Sequence, residues 1–75
     1  MKWQDRITID PAIAAGHAVI KGTRVPVQML IGALGGGDTI EDVCQAYNVT
    51  EDDVRAGLIY AAEVVSRERV RALPR

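Results

Sequence analysis

Seventy-five residues with one cysteine, one histidine and a net charge of −1 make one small domain. The counts exclude an intrachain disulfide and a cysteine-based zinc site, and no run reaches the ~18 apolar residues of a membrane-spanning helix. The opening MKWQDRIT has no apolar leader segment, so a cytoplasmic chain without metal or cofactor is expected. A chain this short buries a modest core, and with disulfide and metal gone, oligomerisation is the remaining aid to stability.

Arg6–Asp10 alternates polar and apolar residues and predicts a short strand stopped by Pro11. Pro11–Ala15 predicts one helical turn ended by Gly16, and Ala18-Val19-Ile20 a second strand pairing loosely with the first. Pro26 suits the first turn of a helix that runs through Val27, Met29, Leu30, Ile31, Ala33 and Leu34. Gln28 is its only strongly polar residue, so burial on more than one side is expected. Gly32 inside it costs ~1 kcal/mol relative to alanine, which predicts close approach of another backbone there. Gly35-Gly36-Gly37 ends the helix.

Thr39 caps a second helix, with Asp42 at the third position. Ile40, Val43, Cys44 and Tyr47 share one face of it, and Asn48 suits a left-handed stop. Thr50-Glu51-Asp52-Asp53 repeats the capping pattern and opens the last helix. Val54, Leu58, Ala61 and Val65 form its first stripe; Ile59, Tyr60, Ala62 and Val64 cover other sides. That is more apolar surface than so small a chain covers unaided. A homodimer is therefore expected, with Leu30, Ile31, Ile59 and Ala62 at an interface built from the first and last helices. Residues 1–26 read as a β arm and turn, 27–66 as a helical core, and 67–75 as a basic tail.

Charge is unevenly spread. Residues 28–53 carry six acids (Asp38, Glu41, Asp42, Glu51, Asp52, Asp53) and no base, whereas both ends are basic. The last two helices have helix-turn-helix spacing, whose second helix usually enters the major groove of DNA. Glu51, Asp52 and Asp53 would repel phosphate there, and they suit a helix N-terminus instead. Lys21-Gly22-Thr23-Arg24 is the better nucleic-acid candidate. A glycine-centred turn there offers cations from Lys21 and Arg24, a hydroxyl from Thr23, and backbone N–H groups. The alternative is that Arg24 ties the turn to a carboxylate and Gly22 supplies only a positive φ.

The order Lys-Gly-Thr and the proline that follows exclude a phosphate loop. The glycines after the first helix follow a helix rather than a strand, so they are no dinucleotide fingerprint. His17 reads as a turn residue, Cys44 as a small core residue, and Trp3 as a cap on the core or an interface. Nothing assembles a nucleophile, base and orienting group, so no enzyme activity is expected. Arg67, Arg69 and Arg71 are candidates for binding a partner.

The stretch Ile7-Thr8-Ile9-Asp10-Pro11 and the run from Gly16 to Val27, with Gly-Thr-Arg-Val-Pro-Val as its specific core, resemble the small prokaryotic family DUF433. The likeness continues through Gly35-Gly36, Thr39–Asp42 and Tyr47 to Ala61. Where the family commonly has Lys and Pro, this chain has His17 and Ala18. The resemblance implies a mainly α fold, a homeodomain-like three-helix bundle with a helix-turn-helix and a short N-terminal β arm. It also implies an antitoxin-like role, neutralising a PIN-like ribonuclease toxin, with autoregulation of the operon by DNA binding. A stand-alone DNA-binding regulator and a structural interaction module are the alternatives.

Overall fold

A computed structural model describes residues 1–67. Three helices, α1 (Val27–Gly35), α2 (Ile40–Tyr47) and α3 (Glu51–Ser66), follow two short strands, β1 (Ile7–Thr8) and β2 (Val19–Ile20). The strands are antiparallel, with Ile7 opposite Ile20 and Thr8 opposite Val19. β2 is flanked on its other side as well. The Ile20 N–H donates to the Val25 carbonyl, and Val19 bridges Pro26. Lys21–Arg24 is thus the tip of a tight reversal between β2 and the start of α1. The first strand is shorter than Arg6–Asp10 because Ile9 points to solvent, 54% exposed.

The segment Pro11–Ala15 is not a right-handed turn. Ala14 and Ala15 have φ of 48° and 57°, and Gly16 follows at 83°. Each alanine held left-handed costs roughly 1–2 kcal/mol. The turn is closed locally: Asp10 accepts from the Ala12 N–H, and the Gly16 and His17 N–H groups donate to Ile13 and Ala14 carbonyls.

Both capping boxes form. Thr39 Oγ1 accepts from the Asp42 N–H, Thr50 Oγ1 from the Asp53 N–H, and each aspartate accepts in return from the N-cap backbone. Asn48 closes α2 with φ 54°. Pro26, extended, caps α1 from outside rather than occupying its first turn.

The core gathers Ile7, Ile20, Val27, Leu30, Val43, Val49, Val54 and Ala56 from every layer, with Cys44, Tyr47 and Trp3 partly buried against it. Leu30 is completely buried there. It therefore has no surface to offer a second chain, and its expected place at a dimer interface is corrected. The close approach expected at Gly32 is also displaced, since nothing lies within 4 Å of where its Cβ would be. It occurs at Gly57 of α3, where a Cβ would lie 3.2 Å from Val27 Cγ1 of α1. α3 buries only part of its expected stripe. Val54, Ala56 and Gly57 face inward, while Leu58 and Val65 of the expected stripe are 39% and 63% exposed. Among the described residues no helix is long and apolar enough to cross a membrane.

Candidate functional site

Two surfaces carry the residues of interest, at opposite ends of the fold's chemistry. The first is an apolar groove of about 410 Å³ between α1 and α3. Val27, Ile31 and Gly32 form one wall and Tyr60, Ala61 and Val64 the other, with His17 and Gln28 as its polar members. The groove exists because Gly57 lets the helices meet closely at one point. From there the second half of α3 runs on past the core, with no residue after Gly57 fully buried. Ile31, expected at an interface, lines the groove. Ile59 and Ala62 lie on the exposed side of α3 instead.

Trp3 fixes the groove's far wall from behind. Its ring meets Tyr60 edge-on, with centroids 5.0 Å apart. Its indole Nε1 is buried without a hydrogen-bond partner among the described residues.

The second surface is the Lys21–Arg24 tip. Lys21 and Arg24 are both exposed, and neither makes an ion pair among the described residues. Thr23 is different and is reassigned. Its hydroxyl donates to the Ile20 carbonyl at 2.7 Å and accepts from the Val25 N–H at 3.0 Å. A hydroxyl has one proton to give, so Thr23 builds the turn and has no donor left for a phosphate. A shallow cleft of about 370 Å³ beside the tip is lined by Thr8, Ile13, Val19, Gly22, Thr23 and Arg24.

The acidic start of α3 is held by a residue that sequence reasoning passed over. Arg6 donates to Asp53 at 3.1 Å and lies 3.6 Å from Asp52, and Glu51 pairs with Arg55 at 2.8 Å. Burial alone would raise the Asp53 pKa. The Thr50 hydrogen bonds, from backbone and then side chain, and the Arg6 guanidinium outweigh it and hold the carboxyl below its ordinary 3.8. The one available signal was a basic residue next to a strand with no local partner, which does not identify an acid 47 residues away. At the other end of α3, Arg67 is 3.9 Å from Glu63 and largely exposed. Arg69 and Arg71 lie outside the described residues.

A three-helix module with a two-stranded arm, an apolar groove and a basic tip is what these residues build. Residues 7–61 match the family described as "Protein of unknown function (DUF433)", and the chain belongs to that family. No curated protein matches it. Its fold is shared by solved crystal structures. Rv2018 from Mycobacterium tuberculosis is 33% identical with a TM-score of 0.67, over 76% of this chain and 27% of that one. A DUF433 member protein from Anabaena variabilis ATCC 29413 is 28% identical with a TM-score of 0.77, over 85% of this chain and 64% of that one. The chain thus spans about a quarter of the first protein and under two thirds of the second.

Proposed function

We propose that this chain acts by binding rather than by catalysis, as the antitoxin-like member of a toxin–antitoxin pair whose toxin is a PIN-like ribonuclease. The observation that carries the reading is the open apolar groove between α1 and α3. An unfilled groove with two polar members suits an apolar helix of a partner protein, laid in by its i, i+3, i+4 anchors. The antitoxin role is what the sequence resemblance implies, and the groove is compatible with it. In this reading Arg67, Arg69 and Arg71 bind the acidic active site of such a nuclease. In this reading the chain works as a homodimer in the cytoplasm.

Co-expression with the neighbouring reading frame tests it. A stable complex in which the nuclease loses its RNase activity is expected. Ile31→Asp, in the groove wall, should abolish the complex, and a nuclease that stays active in equimolar mixture would end the antitoxin reading.

A second reading is a DNA-binding regulator, favoured by the exposed Lys21 and Arg24 at one tip. α2 and α3, joined by three residues, are then a homeodomain-like helix-turn-helix whose second helix starts with acids engaged by Arg6 and Arg55. Contact to DNA falls to the tip. Each phosphate neutralised adds a little under one unit to the slope of affinity against salt. Arg24→Ala should weaken binding and flatten that slope, while Asp52→Asn leaves binding unchanged or slightly tighter. No shifted DNA fragment at low salt would remove this reading and leave the partner-binding one.

A further inference from the structure

We propose that residues 1–5, fastened by Arg6, form a strap that undocks from α3 while the helical core stays folded, and that the docked strap sets the groove by holding Tyr60 in place. The inference deepens the binding reading above and rests on the groove being the partner's site.

The strap has little share in the core. The buried cluster draws on Ile7 and on residues from Ile20 to Ala56, and from the strap only Trp3 packs partly against it. Its single 3-10 turn, Trp3–Asp5, buries no residue fully and has no side-chain cap. Release stops at Arg6, whose carbonyl accepts from the Lys21 N–H at 2.8 Å beside the paired strands.

Two contacts hold the strap down, and one feature opposes them. The Arg6 side chain reaches Asp53 and Asp52 but is itself partly exposed, and ion pairs so placed contribute little. Trp3 meets Tyr60 edge-on, with the ring planes at 61°. Against these, docking buries the Trp3 Nε1 donor with no acceptor among the described residues. Water satisfies that donor when the strap leaves, so undocking removes a penalty that docking imposes. Weak holds and a buried orphan donor place the strap among segments that open ahead of the whole fold.

Tyr60 carries the consequence to the groove. One side of its ring meets Trp3, and the residue also lines the groove with Ala61 and Val64. Trp3 itself does not line it. With Trp3 gone from behind, the Tyr60 ring is free to swing back and the wall is lost. A ligand that packs on Tyr60 therefore binds the docked state better, and by linkage it holds the strap down. Trp3 is thus a positioning residue that acts on the groove through Tyr60.

Trp3 is the only tryptophan, so its emission reads the strap alone. Urea unfolding of the full chain followed by that emission should run ahead of the loss of helical circular dichroism, whereas a single cooperative unit gives coincident curves. Arg6→Ala should shift the emission to the red and raise its quenching by acrylamide, with helicity unchanged. The groove is read with anilinonaphthalene sulfonate, whose binding Ile31→Asp should abolish. Trp3→Ala should weaken that binding about five-fold or more at unchanged helicity. Trp3→Phe keeps a ring against Tyr60 without the unpaired N–H and should restore it. Should Trp3→Ala lose helicity, Arg6→Ala gives the same reading. Coincident urea curves, a wild-type emission in Arg6→Ala, dye binding indifferent to Trp3→Ala, or a Trp3→Phe as weak as Trp3→Ala would each overturn the proposal. Dye that Ile31→Asp leaves bound removes the groove as a binding site and the proposal with it. Neither readout uses the nuclease, so a nuclease that ignores this chain sinks only the antitoxin reading.

Discussion

The two halves of α3 reverse the usual relation of hydropathy to burial: the polar half supplies the helix's buried residues and the apolar half supplies none. Residues 51–57 are capped by Thr50, tied down by Arg6 through Asp52 and Asp53, and buried at Val54, Ala56 and Gly57. Residues 58–66 hold Leu58, Ile59, Val64 and Val65, all larger than anything the first half buries except Val54, and all exposed. What separates the halves is a neighbour. Gly57 admits α1 at one point, and beyond that point the helix is only partly covered, with Trp3 against Tyr60. Apolar content records that a surface wants cover, and packing decides whether the same chain provides it.

Overpacking the point of contact should act most strongly. Gly57→Leu places a branched side chain where a Cβ already lies 3.2 Å from Val27. A loss of about 3 kcal/mol, at the upper end for overpacked cores, is expected in urea unfolding. The paired valines sharpen the contrast, because residue type is constant. Val54→Ala, at 0% exposure, should cost about 2 kcal/mol for lost burial and the cavity left behind. Equal losses at Val54 and Val65 would remove the distinction between the halves. Thr50→Ala removes the cap of the anchored half and should cost about 1 kcal/mol by thermal unfolding.

Acid should loosen the same half. The Asp53 carboxyl is held below 3.8 in the folded chain, so its contribution is complete above the unfolded value and is lost as pH falls through the folded one. The stability difference between wild type and Asp53→Asn should therefore narrow below about pH 4. A difference that widens there would mean that burial outweighs the bonds from Thr50 and Arg6. The smallest effect belongs to Val65→Ala, about 0.5 kcal/mol or less in a dilute monomer, since the residue is 63% exposed.

Local chemistry was legible in the sequence, and pairing across the chain was not. Thr39 with Asp42, Thr50 with Asp53, and Asn48 carry their geometry in residue type and spacing, and all take the expected conformations. The Lys21–Arg24 reversal was equally plain. Gly32 misled because a helical glycine announces a missing side chain without saying which glycine another helix meets. Leu30 misled because an all-round apolar helix does not show which side faces its own core. The left-handed turn at Ala14-Ala15 was invisible, since alanine favours the opposite hand and only tertiary context holds it there. Arg6 had no local cue at all. Of the groove, Ile31 was expected at a dimer interface and lies in one wall, while the opposite wall at Tyr60, Ala61 and Val64 had no cue in the sequence.

The bond between Arg6 and Asp53 spans 47 residues, most of the chain. Helix–helix contacts close over shorter loops and bear a smaller entropic cost before they form. On a ribosome adding about 5–20 residues per second, Arg6 waits roughly 2–10 s for its partner to be made. Through that interval α3 does not yet exist, so Trp3 has no Tyr60 and Ile7 no Val54 to pack against. The N-terminus is thus first to be synthesised and last to be fastened, so the latch on α3 closes only on a chain translated past its final helix start.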